Sequence, residues 1–323
     1  MRRRDFLKRG TAAAGVAASG KYLGLNSTTS DAGDLAPIAK RRLGKTGVDL
    51  SIIAVGGVLV METEQSLANN IVAESFDRGI NYFDVAPTYG NAQERLGPAL
   101  EPYRKKVFLA CKTQQRMKDG AAKELEESLR QLRTDHLDLY QFHAVTTKED
   151  VEKIFGPDGA METFAAARKA GKVRFLGFSA HSVENALAMM DHFDFDTILF
   201  PVNFVLFSQA KFGPQVLKRA REKGMGILAL KAMAKEQWSA KEKDHHPFPK
   251  CWYRPAALPD EAALALRWTL SQPITAAVPP GEEKYFRCAL EVASRFTPID
   301  EDEEKTLMAG AVGAEPLFRL ATA

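Results

Sequence analysis

Hydrophobic positions recur along the chain in two rhythms. Val183, Ala186, Leu187 and Met190 follow the i, i+3, i+4, i+7 spacing that puts apolar side chains on one face of a helix. Leu125, Leu129 and Leu132 follow the related i, i+4, i+7 spacing. Between such helices stand short, nearly continuous apolar runs: SIIAVGG from Ser51, NYFDVA from Asn81, KVFLACK from Lys106, LDLYQFH from Leu137, KVRFLGFS from Lys172, TILFPVN from Thr197, GILALKA from Gly226 and ITAAVP from Ile274. Runs without alternation suit parallel strands covered on both faces, and each is followed by enough chain for a helical crossover. The eight units fill residues 52–296 at about 31 residues each, the size of one strand-and-helix unit. The pattern therefore predicts an α/β fold, an eight-fold (β/α)8 TIM barrel. A doubly wound open sheet is the competing architecture, but the Gly-x-Gly-x-x-Gly string it calls for after the first strand is missing.

Two segments fall outside the eight units. RRLGKTGVDL, residues 41–50, has a Gly-containing turn between two extended pieces and predicts a β-hairpin at the N-terminal end of the barrel. Residues 234–258, including KDHHPFPKCWYRP, form a long loop after strand 7, rich in Pro and aromatics. In a barrel that loop lies over the mouth and covers substrate. Together these elements make a single barrel domain over residues 41–315.

Residues 1–30 are set apart as a leader: a basic start, the weakly apolar TAAAGVAASG, then polar residues. The string RRRDFLK, with Arg3 and Arg4 before Phe6, Leu7 and Lys8, resembles the twin-arginine export signal. That resemblance implies the twin-arginine translocon as a partner and a periplasmic or otherwise exported protein; a cytoplasmic protein whose leader goes unused is the alternative. The 323 residues, 45% hydrophobic and 26% charged, fit a globular chain and exclude a disordered, collagenous or coiled-coil one. No apolar run approaches the roughly 18 residues of a spanning helix, so no membrane crossing is expected. The net charge of +3 resides in the first twenty residues, where five basic groups face Asp5. No basic patch in the body argues for nucleic acid. Cys111, Cys251 and Cys288 are widely spaced and read as reduced thiols. His245 and His246, side by side, cannot readily face one ion, and no metal is expected.

Barrel chemistry sits at the C-terminal ends of strands. Asp84 closes the second apolar run, Tyr89 follows in its loop, Lys112 closes the third run and His143 the fourth. Each alone has an ordinary structural explanation, but all four on three consecutive strand ends have a chemical logic. A Tyr hydroxyl is a poor acid at neutral pH unless a cation stabilises its phenolate. Lys112 would supply that cation, Asp84 would hold it, and a neutral His143 would orient a carbonyl.

In these strings the chain resembles an aldo-keto reductase: RRLGKTGVDLSIIAVGG, FDVAPTYG with Asp84 and Tyr89, CKT with Lys112, LDLYQFHA with His143, and GKVRFLGFSAHS leading to Ser179. The resemblance implies a (β/α)8 barrel that reduces aldehydes and ketones, or oxidises the alcohols, with NADP or NAD as cofactor and Tyr89 as general acid, assisted by Lys112, Asp84 and His143. It also implies Ser179 as a cofactor anchor. The family's Asn and Gln anchors fall on Ala180 and Leu199. Asn203 matches a family Asn, with a turn residue as its other reading. Lys231, ending the seventh run, either meets the pyrophosphate or reaches solvent. After the eighth run, Gly281 allows a close backbone approach, while Arg287 matches the family Arg only with a one-residue shift. Glu282 and Glu283 disfavour a 2′-phosphate. An exported reductase has no expected pool of NADPH to draw on, so either the nucleotide is loaded before export and stays bound, or the barrel is a catalytically weakened ligand-binding or sensing protein.

Overall fold

The computed structural model describes residues 37–320, and the leader expected over residues 1–30 lies outside them. Eight parallel strands form one sheet in sequence order: Val55–Gly56, Tyr82–Asp84, Phe108–Thr113, Leu137–Val145, Val173–Ala180, Thr197–Pro201, Gly226–Leu230 and Ala276–Val278. The ring closes where Ile53 bridges Ala277 in parallel: Ala54 N donates to Ala277 O at 3.0 Å and Ala277 N to Ile52 O at 2.9 Å. Helices such as Gln65–Asp77, Lys118–Gln131 and Glu283–Ser294 follow the strands and cover the outside. This is the (β/α)8 barrel that the apolar rhythm predicts.

Two layers of apolar side chains hold it together. Inside the ring lie Ala54, Tyr82, Phe108, Leu139, Leu199 and Leu228; between sheet and helices lies a larger cluster that includes Phe142, Phe164, Ile198 and Leu266. Each fully buried Leu, Ile or Phe contributes roughly 1.5–3 kcal/mol of apolar burial.

The first apolar run does not form one strand. Asp49–Ser51 pairs antiparallel with Lys40–Arg42, and only Val55–Gly56 joins the barrel sheet. The break has a local cause: Ser51 N donates to Asn81 Oδ1 at 2.8 Å and Ser51 Oγ to Ile53 O at 2.8 Å, so side chains replace ladder partners there. The hairpin, residues 40–51, contains the expected 41–50 with one more residue at each end, and it closes the end away from the site. Its turn glycine, Gly44 (φ +49°), lies against the start of the seventh strand, where a Cβ would stand 2.3 Å from Gly226 N.

The long segment after the seventh strand is anchored at both ends, with Ala234–Gln237 paired antiparallel to Tyr253–Pro255. The intervening residues 238–252 form a strap. Trp238 Nε1 donates to Cys251 O at 2.9 Å, and His246 stacks on Trp238 at 4.1 Å. Lys250 then ties the strap to two other rims: its N–H donates to Glu282 Oε1 at 2.7 Å and its Nζ to Leu59 O at 3.0 Å. The strap therefore crosses the mouth from the seventh strand to the loops after the eighth and the first.

Candidate active site

At the C-terminal ends of the strands lies a cavity of about 320 Å³ whose walls include Asp84, Tyr89, Lys112, His143, Ser179, Lys231 and Gly281. The alternation of a strand explains the inward aim. Tyr82 and Asp84 share one face of the second strand, and Gln141 and His143 one face of the fourth.

Lys112 is 1% exposed and Asp84 3% exposed. The ammonium donates to Asp84 Oδ1 and, at 3.2 Å, to Val85 O. The other carboxylate oxygen accepts from Tyr82 Oη at 3.1 Å and Gln141 Nε2 at 3.3 Å. Asp84 is therefore saturated, and it clamps the ammonium. Burial pulls the Lys112 pKa down, but Asp84 and Tyr89 outweigh it and hold the group above its ordinary value. Lys112 stays charged.

The Lys112 Nζ lies 5.1 Å from the centre of the Tyr89 ring, and the His143 ring meets Tyr89 edge-on at 5.7 Å. The sequence suggests that Lys112 lowers the Tyr89 pKa. Its charge and hydrogen bond do act in that direction, yet burial is the larger effect and the net shift is upward. Tyr89 therefore holds its proton until something takes it. His143 is pushed down to about 3 by burial and by Lys112, so its imidazole is neutral at pH 7. Thr88 Oγ1 lies 3.4 Å from its Nδ1. The strand end that carries His143 is fixed from outside the cavity: Arg116 Nη2 donates to His143 O at 2.7 Å while its Nε pairs with Asp150 at 2.8 Å. From the next strand, Ser179 Oγ accepts the Ala144 N–H at 2.8 Å.

The residues expected to hold a nucleotide divide. Ser179, Lys231 and Gly281 line the cavity. Asn203 does not: it is fully buried, caps the helix Phe204–Ala210 through Leu206 N at 2.8 Å and donates to Lys231 O at 3.3 Å. Its amide is occupied by the turn. Arg287 lies outside this cavity, on the wall of a second, more open one of about 990 Å³ shared with Trp238, Glu282 and Glu283, and it pairs with Glu74 and with Glu283 at 3.3 Å. Glu282, expected to repel a phosphate, instead receives the strap's Lys250 N–H.

Several contributors escaped sequence reasoning. Tyr82 and Gln141 hold Asp84, and a period-two count back from Asp84 and His143 would have found them. Lys250 and Trp252 reach the cavity from the strap, and no periodicity marks them. Among the described residues, no cluster of His, Cys, Asp and Glu could hold a metal ion, and no helix is long and apolar enough to cross a membrane. Cys111, Cys251 and Cys288 are free thiols.

Comparison with known proteins adds three findings. The sequence profile of the Aldo/keto reductase family matches residues 53–307. The oxidoreductase YqkF of Bacillus subtilis is 31% identical over 155 residues, 44% of this chain and 48% of that one, and L-galactose dehydrogenase of Arabidopsis thaliana is 27% identical over 61% of this chain and 66% of that one. Against several of these relatives the chain spans only about half of their length. In fold, it superposes on an aldo-keto reductase from Bacillus halodurans in its holo form with a TM-score of 0.66 at 21% identity, covering 87% of this chain and 98% of that one. A putative aldo-keto reductase from Pseudomonas aeruginosa gives 0.64 at 22% identity, covering 80% and 97%.

Proposed function

The chain belongs to the aldo/keto reductase family, and we propose that it is an exported oxidoreductase that reduces an aldehyde or ketone, or oxidises the alcohol, with Tyr89 moving the proton. The observation that carries this reading is the meeting of Asp84, Tyr89, Lys112 and His143 in one cavity, with a charged Lys112 beside a protonated Tyr89. A carbonyl oxygen entering the cavity accepts hydrogen bonds from Tyr89 Oη and the neutral His143. As negative charge develops on that oxygen, Tyr89 gives up its proton, and the phenolate left behind is stabilised by Lys112. Asp84 and Gln141 act through Lys112 by fixing where its charge stands.

NADP or NAD is the family's cofactor, and it supplies the hydride. The residues fit it in part. Gly281 lines the cavity with bare main chain, because a Cβ there would come within 2.4 Å of the Val58 Cγ1 packed against it, and Ser179 presents a hydroxyl whose proton is not committed to Ala144. These two would hold the nucleotide, beneath a strap tied to Glu282 and Leu59.

Pure folded protein from an exporting strain should release a nicotinamide nucleotide on denaturation and reduce carbonyls with NADPH or NADH. A protein that carries no nucleotide and shows no turnover with either one supports the binding or sensing alternative, which Leu199 and Ala180 in place of polar anchors favour. Export rests on RRRDFLK alone. Changing Arg3 and Arg4 together to Lys should trap the chain in the cytoplasm, and a double variant still exported on fractionation refutes that assignment.

A further inference from the structure

The cavity holds a second set of polar groups that proton transfer by Tyr89 does not use. Lys231, just beyond the seventh strand, adopts a left-handed backbone (φ 67°), an uncommon and costly conformation for a residue other than Gly, Asn or Asp. Its Nζ is held over two aromatic faces, 4.8 Å from the centre of Trp252 and 4.5 Å from that of Tyr253. Among the described residues, no carboxylate pairs with it. Burial pushes its pKa down to about 8, and the only acidic group opposing that shift is the Cys251 thiol. Across the same cavity, His181 stacks on Phe318 at 4.9 Å. Burial, and then Lys231, lower its pKa to about 4, which leaves a neutral ring able to donate one N–H.

The charge balance of the cavity is one-sided. Its single carboxylate, Asp84, is consumed by Lys112, Tyr82 and Gln141. Lys231 and Lys250 stand on the other walls, and Lys250 has Glu282 beside it while Lys231 has no such partner. A cation removed from water without a counter-charge is costly, and a ligand that brings the counter-charge recovers that cost. The position of the charge indicates which ligand. Lys231 and His181 both act on His143, whose ring touches Tyr89, so their field is felt at the reacting end of the cavity.

We propose that Lys231 and His181, backed by Trp252 and Phe318, form an anion subsite that selects carbonyl substrates bearing a second, negatively charged group such as a carboxylate. The inference rests on the carbonyl-reductase reading and names its substrate class. Lys231 then serves the substrate in place of the pyrophosphate expected from the sequence. An aromatic cage around the ammonium holds it in place while leaving its N–H bonds free for the incoming anion.

The test compares para-carboxybenzaldehyde with para-carbamoylbenzaldehyde, which match in size and planarity and differ in charge. The full chain should favour the carboxylate by tenfold or more in kcat/KM. Lys231→Met should lose most of that ratio, and Lys231→Arg, which restores a cation, should keep it. Calorimetric titration of para-(hydroxymethyl)benzoate and para-(hydroxymethyl)benzamide in the presence of NADPH reads the same subsite without turnover. A protein that reduces neither aldehyde therefore refutes the reductase reading, while the titration still decides the anion subsite. Equal binding and turnover of the charged and neutral probes overturns the proposal. So does a Lys231→Met protein with an unchanged ratio and a tenfold weaker NADPH or NADH, a result that places the diphosphate on Lys231.

Discussion

The two halves of the cavity wall are built on different terms. On the side of the second to fourth strands, the polar groups at the chemistry answer one another within the protein: Lys112 to Asp84, Asp84 to Tyr82 and Gln141, and the His143 backbone to Arg116. On the side of the fifth to eighth strands, Leu199, Leu230, Val278 and Pro280 alternate with Ser179, His181 and Lys231, and Lys231 meets aromatic faces in place of a counter-ion. In the first half the buried charges are neutralised within the protein, whereas the second leaves Lys231 without a counter-charge. Preorganised groups that stay put during the reaction suit proton transfer, and an unneutralised surface suits recognition.

The sharpest way to break this contrast is to remove the cation from the first half. Lys112→Met leaves Asp84 buried and unpaired, which should cost about 3–5 kcal/mol in urea unfolding and abolish reduction. Adding Asp84→Asn should recover much of the stability and none of the activity. A Lys112→Met protein as stable as the parent would show that the clamp is not what holds this half. Tyr89→Phe comes next. It keeps the ring's packing, so the midpoint of unfolding should move little while kcat/KM falls by about a hundred- to ten-thousand-fold. Activity within a few-fold of the parent removes Tyr89 from its role.

The binding half should respond chiefly in affinity. Gly281→Val drives side-chain atoms into Val58 and displaces this rim, so the dissociation constant of NADPH or NADH should rise by tenfold or more in fluorescence titration, with a stability cost of about 1–3 kcal/mol. Unchanged nucleotide affinity would move the cofactor away from this rim. Glu282→Ala removes the acceptor of the strap's Lys250 N–H and should speed nucleotide release several-fold in stopped flow; an unaltered rate means that the strap does not gate release. The smallest effect concerns pH. His143 and His181 have pKa values lowered to about 3 and about 4, so each loses its proton below pH 5 and stays neutral above it. The profile of kcat/KM for a neutral aldehyde should therefore show no step between pH 5 and 8. A limb near the ordinary histidine value would mean that one of the rings titrates in the working enzyme.

Much of the first half was legible in the chain because it lies within strands. Asp84, Lys112 and His143 each end or nearly end an apolar run, and the pleat aims them inward once the barrel is recognised. Tyr89 follows in a short loop whose reach is limited. Asn203 and Arg287 show where that legibility stops. Both have residue types suited to a nucleotide, yet the first is used up in capping a helix, and the second stands outside the cavity in an ion pair with Glu74, a residue 213 positions away in the chain.

The order of apolar runs and their spacing determined the eight-strand barrel and put Asp84, Lys112 and His143 at or near strand ends, since these depend on periodicities of two and 3.6 residues that act over short stretches. Tertiary structure alone decided where the hairpin breaks from the first strand, that burial outweighs Lys112 in setting the Tyr89 pKa, that Glu282 anchors the strap, and that Lys231 lacks a counter-charge. The physical reason is the same for all four. Desolvation and charge pairing depend on which groups distant in the chain share one small volume, and no local pattern records that.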